Sequence, residues 1–147
     1  MEYAFHAENE QPELGYVYVF STNERALHTE GGGRNEGTAK KAQELYGAIN
    51  GHLGLVGYSY AIPTKRNPWT MLPLTRIRDH VLEFQHVAGM LPNKKFFVTR
   101  IGVQTAGFIK SGDKETKGYK DEQIAPMFVG SPGNCNFPEQ WRPYLER

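Results

Sequence analysis

The alternation of apolar and polar positions divides the chain into strands and helices in a regular order. Tyr16–Phe20 is an unbroken run of β-forming residues, which predicts a strand buried on both faces. Further on, Ala39, Ala42, Leu45, Tyr46 and Ile49 recur at helical spacing among Lys40, Lys41, Gln43 and Glu44. That pattern predicts an amphipathic helix of about three turns, stopped at Asn50-Gly51. His52–Gly57 reads as a turn, and Tyr58–Ile62 as a second strand closed by Pro63. Thr64–Leu74 reads as a loop. A second helix follows, with Ile77, Val81, Phe84, Ala88 and Leu91 on one face, Thr75 as its N-cap and Pro92-Asn93 as its end. Lys95–Ile101 is a third strand and Gly102–Gly118 a loop. Tyr119–Phe128 is a short helix disturbed at Pro126, and Asn136-Phe137-Pro138 leads into a tail that holds Trp141. Residues 2–6 alternate weakly, as an edge strand does.

Strands alternating with helices predict a single α/β domain over residues 1–147, an open sheet with crossover helices in three α/β/α layers. In such sheets ligands bind beyond the carboxyl ends of the strands. The loops that meet there are 21–37, 63–74 and 102–118, all rich in glycine or polar residues.

Composition narrows the ligand. The chain has 147 residues, 39% hydrophobic and 22% charged, with a net charge of +1 from 17 basic and 16 acidic side chains. That balance gives no electrostatic case for long nucleic acid, although a local anion site needs no charged whole. A single cysteine, Cys135, forms no internal disulfide. With neither a signal-peptide pattern at the start nor an apolar run of membrane-spanning length, the expectation is a soluble cytoplasmic chain and no membrane partner.

The chemistry-bearing stretch closest to a known pattern is Gly31-Gly32-Gly33-Arg34-Asn35-Glu36-Gly37-Thr38. Gly32 and Gly37 have Walker A spacing, but Thr38 stands where that motif needs a lysine, so an ATPase or kinase is a poor reading. Glu36 likewise occupies the third glycine position of a dinucleotide fingerprint. A strand before it and a helix after it suit a phosphate or ribose cradle, and a simple turn accounts for the same glycines. The third strand ends in Thr99-Arg100-Ile101-Gly102-Val103-Gln104-Thr105-Ala106-Gly107-Phe108, where backbone N–H groups can wrap a phosphate and Phe108 can stack on a base. An ordinary strand-to-loop turn with Phe108 packed inward is the plainer alternative. Lys65 or Arg66 could pair with an anion, or be solvated surface charge. The five histidines show no metal-type spacing and Cys135 reads as a bystander, so no metal and no cofactor is expected.

Taken together, these stretches resemble the macrodomain, the ADP-ribose-binding α/β module. The resemblance runs over residues 16–108: Val19-Phe20-Ser21-Thr22-Asn23, then Gly31-Gly32-Gly33 and Thr38-Ala39, then Tyr60-Ala61-Ile62-Pro63-Thr64, then Thr99–Phe108. The chain is also similar to a group of small bacterial and phage proteins with a Ser-Tyr-Ala-Ile-Pro-Thr-Lys segment and an Ile-Ala-Pro-Met-Phe helix. The resemblance implies a cleft that binds ADP-ribose or a related ribose-diphosphate nucleotide, free or attached to a macromolecule. In that reading Asn23 and the loop Gly31, Gly32 and Gly33 hold the distal ribose, with Asn35 and Thr64 as further ligand contacts. Gly102, Val103, Gln104, Thr105, Ala106, Gly107 and Phe108 surround the diphosphate. If an ADP-ribosyl linkage is hydrolysed, Asn23 and Glu36 are the catalytic pair, with the acid displaced by at least one residue from the family's position. The alternative is a non-enzymatic sponge or sensor for a nucleotide signal, as in phage defence and counter-defence. A third is an interaction protein whose glycine loops are only turns.

Overall fold

The structure is a computed structural model that describes residues 2–28, 38–67, 70–103 and 118–146. The fold is α/β. In chain order β1 (Ala4–His6) and β2 (Val17–Asn23) precede α1 (Thr38–Leu45). A hairpin of β3 (Gly54–Val56) and β4 (Ser59–Asn67) follows, then β5 (Thr70–Met71) and α2 (Leu74–Met90). After β6 (Phe96–Val98) come α3 (Asp121–Ile124), a 3-10 turn (Ala125–Phe128), β7 (Cys135–Pro138), a second 3-10 turn (Glu139–Trp141) and α4 (Arg142–Leu145).

Among the described residues the strands form one mixed sheet in the order β1-β7-β6-β2-β4-β3, with β5 also on β4. The five strands from β1 to β4 in that order run parallel, while β3 and β5 lie antiparallel to β4. Helices cover both faces, which is why β2 is apolar at every position from Val17 to Phe20. Val17 and Val19 join the core under α2, where Phe84 meets Tyr60, Phe96 and Phe128 edge-on at centroid distances of 5.1, 5.5 and 6.1 Å. Tyr18 and Phe20 point the other way, against Ala42 of α1, and Tyr18 stacks on Tyr46 at 4.5 Å.

Several elements differ from the sequence expectation. β7 falls where a tail was expected: its Asn136 and Pro138 mask the strand signal, and Phe137, fully buried, is what pins it between β1 and β6. The turn at 52–57 contains β3, and the loop at 64–74 is mostly the end of β4 and β5. Helix α1 ends at Leu45 rather than Ile49. Gly47 takes φ +83° and the Ala48 N–H reaches back to the Ala42 C=O, so the chain leaves the helix before Asn50-Gly51. Helix α2 has Pro73 as its N-cap, two residues ahead of Thr75, because proline is at home where no helical N–H is needed.

Candidate functional site

The sheet order creates one place where neighbouring connections diverge. From β2 the chain passes through α1 and β3 to β4 on one side, and α2 then carries it back to β6 on the other side of β2. The segments leaving β2 and β6 therefore part company, and the crevice between those carboxyl ends is a topological switch point. β6 also stops first: Val98 pairs with Val19, and Thr99 closes the ladder by donating both its N–H and its Oγ1 to the Val19 C=O, at 3.1 and 2.7 Å. β2 continues to Asn23 beside β4 alone. Along β2 the Val17 N–H bonds Lys95 on the β6 side and the Tyr18 N–H bonds Tyr58 on the β4 side. By that alternation the Ser21 peptide group faces the crevice.

The loop leaving β2 is built around Asn23, which is 3% exposed. Its Oδ1 accepts from the N–H groups of Arg25 and Leu27 at 3.1 and 3.2 Å, and its Nδ2 donates to the Leu27 C=O at 3.0 Å. These bonds hold Ala26 at φ 55°, a left-handed conformation that an alanine adopts only under such constraint. Thr22 and His28 share a buried hydrogen bond of 2.8 Å between Oγ1 and Nδ1. Asn23→Ala leaves two loop N–H groups without their acceptor and is expected to destabilise the fold by about 2 kcal/mol, while Arg25→Ala, at an exposed position of the same loop, keeps those bonds and loses less than half of that. Urea unfolding of the two variants checks it, and equal losses would contradict the loop-building role.

The segment leaving β6 is pinned at its base. Gly102 takes φ +73°, and a Cβ placed on it would stand 3.2 Å from Ile124 Cδ1 and 3.5 Å from Thr64 Cγ2. Its C=O accepts the Tyr119 N–H at 2.9 Å, Val103 bridges Tyr119, and the Tyr119 hydroxyl donates to the Leu72 C=O at 2.7 Å. Arg100 donates through Nε (3.1 Å) and Nη2 to Asp121, whose Oδ1 also accepts the Trp141 indole N–H at 2.7 Å. Core packing at Trp141 is thereby tied to the wall of the crevice.

Lys65 ends the β4 segment that pairs with Asn23; it is half-buried, burial pushes its ammonium pKa down, and among the described residues no carboxylate pairs with it. Of the acids described nearby, Glu8 is exposed and lies 3.6 Å from Arg100, and the other two are occupied. Partial burial works against ionised Glu24, but the donors of Arg76 and His80 (2.5 and 3.2 Å) hold its carboxyl below the usual range. Asp121 serves Arg100 and Trp141. Cys135 is buried at the start of β7, which pushes its thiol up to about 12, far from a nucleophile's range. Among the described residues no group of three or more His, Cys, Asp or Glu could hold a metal ion, and no helix is long and apolar enough to cross a membrane.

Two buried histidines, one of them in the loop after β2, set a pH response. Burial lowers the pKa of His28, whose Nε2 faces the carbonyls of Ile49 and His52 without reaching hydrogen-bond geometry. Burial also lowers that of His6, which stacks on Phe97 at 3.8 Å and bonds Asn136 through Nδ1. Below about pH 6.5 the unfolded chain binds protons that the folded chain refuses, so stability is full above that pH and falls as pH drops below it. Denaturant midpoints measured across that window should decline; a flat profile would contradict the buried neutral imidazoles.

Of the residues the sequence singled out, the structure brings Asn23, Thr64 and Gly102 to one end of the sheet. Asn23 pairs with Lys65, next to Thr64, and Thr64 lies against Gly102. All three are buried, and Val103, the residue after Gly102, is half-buried. Gly31, Gly32, Gly33, Asn35, Glu36, Gln104, Thr105, Ala106, Gly107 and Phe108 lie outside the described residues. Sequence reasoning passed over Ser21 as a site residue, and also the Thr99, Arg100 and Asp121 contacts. Ser21 stood in the quoted strand-end motif, whereas the Asp121 and Trp141 link to Arg100 had no signal short of the fold. At the opposite end of the sheet a cavity of about 140 Å³ is lined by residues that include Tyr16, Lys95 and Asn134, well under the roughly 300 Å³ at which small-molecule sites begin. Comparison of the chain with protein-family models, curated proteins and solved structures returns no match.

Proposed function

We propose that the crevice between β2 and β6 binds ADP-ribose or a related ribose-diphosphate nucleotide, free or on a modified macromolecule. The observation that carries this reading is the switch point itself, where β2 outruns β6 and the Ser21 peptide lies on the side that β6 no longer pairs. Lys65, a half-buried cation with no described acidic partner, suits an anionic group. In this reading the loop after β2 serves the distal ribose and the segment from Gly102 onward serves the diphosphate.

Binding without turnover is the form favoured by the rim. Glu24 and Asp121 are both held by cationic or indole donors and are poorly placed to activate water. In the hydrolase reading Glu36 is the acid, with Asn23 shaping the loop. A sponge or sensor returns its ligand intact. Titration calorimetry should show heat with ADP-ribose and none with ATP, and chromatography afterwards should recover ADP-ribose or its protein-linked form unchanged. No heat with any ADP-ribose derivative would remove the proposal; release of ADP-ribose from a modified protein would replace the sponge with the hydrolase.

A further inference from the structure

The two edges of the sheet are finished differently. At the β1 edge, Glu2 and Glu8 flank the strand and the Arg142 guanidinium lies over the Phe5 ring at 4.3 Å. Charges there oppose pairing with another strand. The β3 edge has no such guard. From Leu53 to Tyr58 the sequence is Leu-Gly-Leu-Val-Gly-Tyr, without a charge or a proline, and no described strand lies beyond it.

The hairpin geometry says which backbone groups are open. Gly57, at φ +60°, and Tyr58 make a two-residue turn, so Val56 and Ser59 face each other as the first hydrogen-bonded pair. Alternation makes Leu55 opposite Tyr60 a non-hydrogen-bonded pair, and the Leu55 N–H and C=O therefore point away from β4. Exposed apolar side chains flank this edge on both faces of the sheet: Leu53 (40%) and Leu55 (38%) lie on the α2 face, because Leu55 sits opposite Tyr60, while Leu45 (64%) and Ile49 (54%) lie at the end of α1 and Tyr58 (56%) in the turn. Tyr58 is held beside the end of α1 by its N–H bond to the Tyr46 C=O.

We infer that β3 is the docking edge for a second copy of this chain, joined by antiparallel pairing about a two-fold axis at Leu55. A hydrogen-bonded antiparallel pair exchanges both its bonds between the two facing residues, so Leu55 opposite its own counterpart satisfies all four open groups. The edge is neutral, so two copies meet without like charges in contact. The five side chains leave on the order of 500 Å² bare per copy, so pairing that covered all of them on both faces would bury about 1,000 Å² in total, the lower bound of a specific interface. This inference is independent of the nucleotide proposal, because the β3 edge is on the far side of β4 from the β2–β6 crevice.

Sedimentation equilibrium of the full chain should show a reversible dimer. Leu55→Lys should weaken association by at least about tenfold, and Leu82→Lys, a 50% exposed leucine on α2, should leave it unchanged. Leu55→Cys provides a second measurement that does not depend on the lysine variant folding: under oxidation it should form a covalent dimer, since facing Cα atoms about 5.5 Å apart are within disulfide reach. Leu82→Cys should not. A chain that stays monomeric at every concentration and fails to cross-link through Leu55→Cys would overturn the inference, as would a dimer indifferent to Leu55→Lys.

Discussion

Trp141→Ala is expected to destabilise the protein by about 3–5 kcal/mol, and so to lower the melting temperature by about 10 °C or more. The indole is completely buried, lies 5.1 Å from the Phe128 ring and 6.2 Å from Phe137, and belongs to the core under α2. Its removal leaves a large void in a region packed by rigid rings, which cannot collapse to fill it. The indole N–H is a second, separable contribution. Trp141→Phe keeps most of the volume and removes only the bond to Asp121, which is expected to cost about 1–2 kcal/mol. Because Asp121 also holds Arg100 at the end of β6, the phenylalanine variant should weaken ligand binding more than its small stability loss would suggest. Thermal melts and calorimetry on both variants check this; equal destabilisation by Ala and Phe would mean the void matters little.

Gly102→Val is expected to weaken ADP-ribose binding by at least about tenfold, some 1.4 kcal/mol. A β-branched residue at φ +73° costs about 1–3 kcal/mol in backbone strain. The new side chain also meets Ile124 Cδ1 and Thr64 Cγ2, so relief requires the peptides around Gly102 to turn. Turning them breaks the Tyr119 N–H bond and moves the crevice wall. Gly130→Val separates strain from site. Gly130 has φ +90° with nothing within 4 Å of its Cβ position, so that variant should lose stability and keep affinity. Equal affinity losses in both variants would place the effect in global stability.

The parts of this fold that were legible in the sequence are those with a strong local signal. β2 and α2 declare themselves through an unbroken apolar run and a five-residue helical stripe, of which Ile77, Val81, Phe84 and Ala88 are fully buried. β7 and β3 do not, since Asn136, Pro138 and the surrounding glycines carry turn chemistry and only pairing with neighbours makes them strands. The expected α1 stripe overran the helix by four residues: Leu45 and Ile49 are exposed, and an exposed leucine at helical spacing is indistinguishable by pattern from a buried one. At the candidate site the glycines and Asn23 stood out by residue type. What Asn23 does there is a matter of hydrogen bonds to Arg25 and Leu27 that no spacing rule encodes. The link from Trp141 through Asp121 to Arg100 joins residues up to 41 positions apart in number, and only the packing of the C-terminal turns against α3 brings them together.

The central claim is that a ribose-diphosphate ligand enters between β2 and β6. Backbone amide NMR during titration with ADP-ribose tests it most directly. The account predicts that the largest shifts fall on Ser21, Asn23, Thr99, Gly102 and Val103, with Lys65 and Thr64 following, and that Lys95, Asn134 and Asn136 at the other end of the sheet stay in place. Shifts centred on that opposite end, or none at saturating ligand, would contradict it.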